Sequence, residues 1–226
     1  MPRTTTRGVQ PRKTPVQARS KSTVSALFEA SIQVLLARGY RNFTTTRVAE
    51  RAGVSVGTLY QYYPNKQALI VAVTAQHLDA VVARVTAACE TARGGKLAVA
   101  VGCVVDAFLA AKLERVDVST ALYEASADVK GAALVKSAAQ RAGAALAETL
   151  QACPDVAFDE PMVPSMVVVT ACSALVQSAL EASPAVRPKA PNAETLRRHM
   201  TTLALEYLRA ISRPRSASRR KPGRSR

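Results

Sequence analysis

The segment from Thr44 to Leu69, TTTRVAERAGVSVGTLYQYYPNKQAL, constrains the fold more than any other part of the chain. Ala49, Gly53 and Leu59 follow one another at offsets of four and six residues, which is the spacing of a helix-turn-helix. The small side chain of Ala49 lets two helices approach closely, and Gly53 supplies the positive φ that the turn needs. The spacing alone would also suit two packed helices without any role in DNA binding.

The ends of these two helices are marked by local signals. Ser55 directly follows the turn, where a hydroxyl can act as a helix N-cap. We therefore predict helices over Thr45–Ala52 and Val56–Tyr62. In a helix-turn-helix the second helix enters the major groove of DNA.

The residues after the turn make the interpretation specific. TLYQYYPNKQAL resembles the TLYxHFxxKxxL signature of the TetR family of bacterial transcriptional regulators. The resemblance covers roughly residues 24–69 and extends back through a glycine, two aromatics and a threonine, which are Gly39, Tyr40, Phe43 and Thr45. This chain departs from the signature at Tyr62-Tyr63, where His-Phe is usual, but Tyr62 can still donate a hydrogen bond.

The resemblance implies an all-α protein with a three-helix helix-turn-helix head and a larger helical body for effector binding and dimerisation. Apolar residues at intervals of three and four, interrupted by Pro and Gly, independently favour helices. About nine are predicted: Ser22–Arg38, Thr45–Ala52, Val56–Tyr62, Lys66–Ala92, Lys96–Arg115, Val118–Ala127, Ala132–Cys153, Pro161–Ala182 and Ala193–Ser212. The corresponding domains are a disordered basic arm (1–22), the DNA-binding domain (23–69), the body (70–212) and a disordered basic tail (213–226).

The net charge of +15 is concentrated in the two ends of the chain. Residues 1–22 contain six basic residues and residues 209–226 contain eight, with no acidic residue in either segment, which leaves +1 for residues 23–208. A basic arm beside the head could follow DNA phosphates or enter the minor groove. Both segments could equally be solvated extensions, and the role of the C-terminal tail is left open.

By resemblance, the DNA contacts divide into phosphate contacts and base contacts. The start of the second helix, with its exposed N–H groups, is expected to meet a phosphate. The third helix is expected to face base edges, and Tyr60, Tyr62 and Lys66 to contact the sugar-phosphate chain. The complete set of predicted DNA-binding residues is Thr45, Thr46, Arg47, Ser55, Val56, Gly57, Thr58, Tyr60, Gln61, Tyr62 and Lys66.

In TetR-like proteins the last two long helices form a four-helix dimer interface. Here the last helix carries apolar residues at steps of three and four: Leu196, Met200, Leu203, Tyr207 and Ile211. The preceding helix carries mostly small residues on one face: Val167, Ala171, Ala174, Ser178 and Ala182. An internal core face is the alternative. The family's body commonly holds a pocket for a small molecule, for which the candidate lining residues are Phe108, Leu109, Tyr123, Met162, Met166 and Cys172.

Other functional classes lack residues to support them. The four cysteines are widely spaced without a CxxC pair, so we expect reduced thiols and neither a disulfide framework nor a metal site. His77 and His199 have no metal-ligand companions and are interpreted as surface or packing residues. We find no catalytic residue arrangement, no cofactor motif, no signal peptide and no convincing membrane span, and so expect a cytoplasmic, nucleoid-associated protein that is not an enzyme.

The favoured function is a homodimeric, sequence-specific regulator of transcription. We expect a repressor that binds double-stranded DNA at a palindromic operator and is released by a small-molecule effector. The alternative is a DNA-binding regulator or nucleoid factor without a small-molecule ligand, controlled by a protein partner.

Overall fold

The computed structural model describes residues 15–126, 131–181 and 192–215. In chain order its helices are α1 (Pro15–Arg38), α2 (Thr45–Ala52), α3 (Val56–Tyr62), α4 (Lys66–Ala92), α5 (Leu97–Leu113), α6 (Val116–Ser126), α7 (Gly131–Ala152), α8 (Met162–Glu181) and α9 (Ala193–Ile211). A short 3₁₀ turn covers Tyr40–Asn42, and two-residue strands β1 (Val156–Ala157) and β2 (Arg213–Pro214) lie in the second half of the chain. The predicted all-α class is confirmed.

The first compact unit extends to Leu69 and contains the helix-turn-helix. Gly53 ends α2 with a φ of 68°, and the N–H of Val54 donates to the carbonyl of Ala49 at 3.0 Å. The side chains of Val48, Ala49 and Leu59 are fully buried where α1, α2 and α3 pack together. The α2 and α3 boundaries predicted from the turn are confirmed.

Helix α1 begins seven residues earlier than the sequence predicted. Residues 15–22, which we assigned to a disordered arm, are helical. Pro15 is the first residue of the helix, a position that suits proline because its φ is already helical and its missing N–H would have no partner there. The part of the predicted arm before Pro15 lies outside the described residues.

The second unit begins at Ile70 and is a helical body with its own core. Helix α5 packs against α9, α7 packs against α8, and α8 also contacts α9. The largest fully buried side chains in this core include Leu97, Leu146, Leu150, Met200 and Leu208. Free thiols at Cys89, Cys153 and Cys172 are buried, and Cys103 is half-buried.

The predicted dimer face of α9 is divided between two surfaces. Leu196 and Met200 are buried in the core of their own subunit, so that part of the prediction is wrong. Leu203 and Ile211 are 41% and 46% exposed and point away from that core. The side of α9 that is buried in its own subunit follows Leu196, Met200, Ala204 and Leu208 at steps of four residues. Leu203 therefore lies at the edge of this buried side, and Ile211 is the last residue of the helix.

The chain after α9 is also more ordered than predicted. Arg213–Pro214 pairs antiparallel with Val156–Ala157, and the guanidinium of Arg215 donates to the carbonyls of Cys153 and Gln151, both at 2.9 Å. Those carbonyls end α7, where cationic donors are favoured. The predicted disordered tail is therefore wrong for residues 213–215, and its remainder lies outside the described residues.

Two of the described helices are long and apolar enough to cross a membrane by length and composition, namely Lys66–Ala92 and the Met162–Ala179 part of α8. Core helices of soluble proteins have the same properties, so this observation is weak evidence for a membrane protein. In the second stretch only 28% of the residues are buried within the subunit. An exposed apolar surface of this extent is typical of a site that contacts another molecule.

Candidate DNA-binding and effector sites

Helix α3 presents one side to the head and the other to solvent. The Oγ of Ser55 accepts a hydrogen bond from the N–H of Thr58 at 3.0 Å and lies 2.8 Å from the Thr58 hydroxyl, so Ser55 is the predicted N-cap. Gly57, Tyr60 and Gln61 are exposed. An added Cβ at Gly57 would meet only the Ser55 Oγ, at 3.7 Å, so the fold itself does not require glycine there.

The start of α2 differs from the prediction in its details. The N-cap is Thr44, whose hydroxyl accepts from the N–H of Arg47. Thr45 is buried, and its hydroxyl lies 3.1 Å from the hydroxyl of Tyr60, so this pair ties α2 to α3. Because that hydroxyl is turned inward, Thr45 is a poor phosphate donor, whereas Thr46 and Arg47 are exposed at the same helix end.

Tyr62 and Lys66 are also engaged within the head. The Tyr62 hydroxyl donates to the Oγ of Ser20 in α1 at 3.4 Å. The Lys66 ammonium donates to the carbonyl of Tyr40 at 2.8 Å and lies 3.9 Å from the centre of the Tyr40 ring. Phosphate contacts from these two side chains would require these bonds to be shared or exchanged.

Two neighbouring cavities, of about 560 Å³ and about 70 Å³, lie among the described residues of the body. They share six lining residues: Leu78, Lys112, Tyr123, Val135, Ala139 and Ser173. The smaller cavity continues into apolar side chains of α4 and α5 that include Val85, Val104 and Phe108. The larger one has a more polar wall that includes His77, Ser119 and Lys136.

Two basic side chains stand out in the cavity walls: Lys112 lies in the part that both cavities share, and His77 lies in the wall of the larger one. Lys112 is only 3% exposed, and its ammonium lies 3.2 Å from the hydroxyl oxygen of Tyr123. The Nε2 of His77 lies 3.1 Å from the Oγ of Ser119. Burial lowers the pKa of His77 to about 4, with further lowering by the positive charges of Lys112 and Arg115. The imidazole is therefore neutral at pH 7.

Comparison with known proteins identifies the family. The model of the TetR family of bacterial regulatory proteins matches residues 27–73, and the model of the tetracyclin repressor-like C-terminal domain matches residues 96–208. The chain belongs to the TetR family. It is thus a DNA-binding regulator of transcription, with a TetR head and a TetR-type body.

Individual relatives agree with the family assignment. The HTH-type transcriptional regulator YvkB of Bacillus subtilis is 39% identical over 57 residues, which are 25% of this chain and 30% of YvkB. A TetR-family regulator from Mesorhizobium loti shares the fold with a TM-score of 0.69 at 14% identity, over 86% of this chain and 98% of that one. One from Rhodococcus sp. RHA1 has a TM-score of 0.57 at 22% identity, over the same shares of both chains.

The residues predicted to line the effector pocket of this TetR protein are distributed over several environments. Phe108, Tyr123 and Cys172 line the smaller cavity, and Met166 lines the larger one. Leu109 is in the core and lines neither of them. Met162 is 46% exposed and lines a separate, more open depression on the surface of α8, together with Val163 and Val167. Burial raises the pKa of Cys172 to about 11, so this thiol is an inert part of the wall.

Sequence reasoning missed the polar part of the cavity wall. His77 was interpreted as a surface or packing residue, yet it belongs to the wall together with Ser119 and Lys112. The available signal was Lys112 near the end of α5, LAVAVGCVVDAFLAAKL, in which Asp106 is the one other charged residue. Among the described residues no group of three or more His, Cys, Asp or Glu side chains is arranged to hold a metal ion.

The pKa of His77 makes the stability of the body depend on pH. Because the folded state binds this proton only near pH 4 and an unfolded histidine near pH 6.5, the unfolded state takes up more protons between these values. The free energy of unfolding is therefore expected to fall by about 2 kcal/mol, from this group, as the pH is lowered from 7 to 5.

Urea unfolding of the wild type and of the His77→Gln variant at pH 7 and pH 5 measures the contribution of His77 to the free energy of unfolding. Glutamine keeps a hydrogen-bonding group near Ser119 but does not titrate. The wild type should lose about 2 kcal/mol more than the variant over this interval. Equal losses would show that His77 does not resist protonation in the folded protein.

Proposed function

We propose that this chain is a homodimeric repressor that reads a palindromic operator with α3 and is released from DNA by a small molecule bound in the body. The observation that carries the proposal is the combination, in one TetR chain, of an exposed α3 surface with a cavity of about 560 Å³ in the body. Cavities of this size are typical of small-molecule sites.

The exposed face of α3 supports base reading by Gly57 and Gln61. Gly57 has no side chain, so the backbone can come close to the floor of the major groove. The amide of Gln61 is exposed and can form two hydrogen bonds to an adenine edge. Val56 and Thr58 are half-buried beside them, and Thr46 and Arg47 are exposed for phosphate contacts at the start of α2.

The exposed apolar surface of α8 and α9 supports dimerisation. It includes Val163, Val167, Leu175, Leu203 and Ile211, which are 37–59% exposed. Ala171, Ala174 and Ser178 lie on α8 among them, and small residues allow a second helix to approach closely. Ala182 of the predicted face lies outside the described residues. Association of two copies through this surface would cover the apolar side of α8 and make the chain a soluble cytoplasmic dimer.

A reporter assay tests the direction of regulation. The promoter region of the chain's own gene is placed before a reporter gene in a host that lacks this regulator, and the chain is supplied in trans. Reporter output should fall several-fold when the chain is present, because an operator-bound dimer blocks the polymerase. An increase in output would show an activator, and a Gly57→Ala variant serves as the control for DNA binding.

A further inference from the structure

Lys112 places a positive charge in the shared wall of the two cavities without a negative charge to balance it. The side chain is 3% exposed, and the six salt bridges among the described residues do not include it. Its ammonium contacts the hydroxyl of Tyr123 at 3.2 Å and lies 4.9 Å from the centre of that ring. No acidic residue is among the described residues that line either cavity.

A lysine in this position costs stability. Removing an ammonium group from water is unfavourable unless an opposite charge or several hydrogen bonds compensate for it, and here one phenol hydroxyl provides only part of that compensation. A methionine of similar length would fill the same space at lower cost. Residues that lower stability in this way are characteristic of functional sites.

The surroundings of Lys112 favour a ligand with one charged end and one apolar end. On one side lie Val104, Val105 and Phe108 of the smaller cavity, which offer only apolar surface. On the other side, the Ser119 hydroxyl adds a hydrogen-bonding group to the wall of the larger cavity. The lysine therefore stands at the boundary between an apolar and a polar compartment.

We infer that the effector is a small amphipathic carboxylate, whose carboxylate pairs with the Lys112 ammonium and accepts a hydrogen bond from the Tyr123 hydroxyl while its hydrocarbon part occupies the apolar cavity. The inference rests on the proposed control by an effector and specifies its chemical class. Lys136 in the wall of the larger cavity is exposed, so Lys112 is the one buried ammonium among the described lining residues, and its charge matches the single charge of a carboxylate. A phosphate monoester carries more charge and is better held by arginine forks or helix N-termini.

Calorimetric titration of the purified full chain with matched probes tests this inference. Octanoate and 4-phenylbutanoate are compared with 1-octanol, octylamine and octyl phosphate at constant salt. We expect octanoate to bind at least tenfold more tightly than 1-octanol and octylamine, and more tightly than octyl phosphate. In Lys112→Met the preference for octanoate over 1-octanol should disappear, whereas Lys96→Met, which changes an exposed lysine outside both cavities, should keep it.

The thermal unfolding midpoint verifies that Lys112→Met is folded. Without ligand, its Tm should equal that of the wild type or exceed it by a few degrees, because an uncompensated buried charge has been removed. A lower Tm, equal binding of octanoate and 1-octanol by the wild type, a preference for octyl phosphate, or an undiminished preference in Lys112→Met would each overturn the carboxylate site.

Operator binding in the presence of octanoate separates this inference from the proposed function. If octanoate binds in a Lys112-dependent way and weakens operator binding, both are supported. If it binds in that way and leaves the affinity for DNA unchanged, the carboxylate site stands and control of DNA binding through it is wrong.

Discussion

Replacing Gly57 with alanine is expected to weaken operator binding by roughly ten- to a hundredfold, about 1–3 kcal/mol, while leaving the fold intact. The added Cβ has room in the free protein, where its nearest neighbour is the Ser55 Oγ at 3.7 Å. In the complex this Cβ would occupy the space between α3 and the bases. Fluorescence anisotropy with a labelled operator fragment measures the affinity, and thermal unfolding measures the stability.

Gly102→Ala is the matched control for this variant. Gly102 lies in α5 of the body, and an added Cβ there has no neighbour within 4 Å. Both substitutions should stabilise their helices by a few tenths to about 1 kcal/mol, since glycine is a poor helix former. Unchanged operator affinity in Gly57→Ala would show that α3 does not approach DNA as closely as we propose.

Thr58 and Tyr60 give less direct tests, because the structure shows that both side chains have partners within the head. Removing the Thr58 hydroxyl would disturb the Ser55 cap, and removing the Tyr60 side chain would leave Thr45 without its partner. A weaker complex with DNA could then result from a damaged head. Gly57 avoids this ambiguity.

Val167→Glu and Leu203→Glu are expected to convert the protein from a dimer to a monomer at micromolar concentration. Both side chains are 41% exposed in one subunit and lie in the apolar surface that we assign to the dimer. A carboxylate buried there would be desolvated without a partner, at a cost of several kcal/mol per interface. Operator affinity should fall a hundredfold or more, because two heads no longer bind together.

Val99→Glu is the control for the dimer variants. Val99 is an exposed valine of α5, at 55%, that lies outside the α8–α9 surface. Sedimentation velocity should show a dimer for the wild type and Val99→Glu and a monomer for the other two. If Val167→Glu and Leu203→Glu remain dimeric, the subunits associate through a different surface.

The boundaries of the DNA-binding head could be predicted from the sequence because they depend on local chemistry. Gly53 at positive φ and the cap at Ser55 each act within four residues of the chain. Such signals fix the end of α2 and the start of α3 without knowledge of the tertiary structure. The start of α1 at Pro15 was missed because a basic, polar segment was interpreted as disordered from its composition alone.

The cavity could not be predicted because it depends on contacts between distant parts of the chain. Lys112 meets Tyr123 eleven residues later, and His77 meets Ser119 across forty-two residues. These side chains lie on three different helices, α4, α5 and α6, so the sequence does not show which of them are neighbours. The same limit applies to Thr45, which contacts Tyr60, and to Lys66, which contacts Tyr40. These contacts depend on how the elements of the head pack together and cannot be predicted from the sequence.

DNase footprinting on the region upstream of the chain's own gene tests the central proposal most directly. A dimer that reads DNA with two copies of α3 should protect an inverted repeat whose half-site centres lie about 34 Å apart or a multiple of it. The Gly57→Ala protein at the same concentration should leave that repeat unprotected. Protection of DNA without an inverted repeat, or equal protection by the wild type and Gly57→Ala, would contradict the proposal.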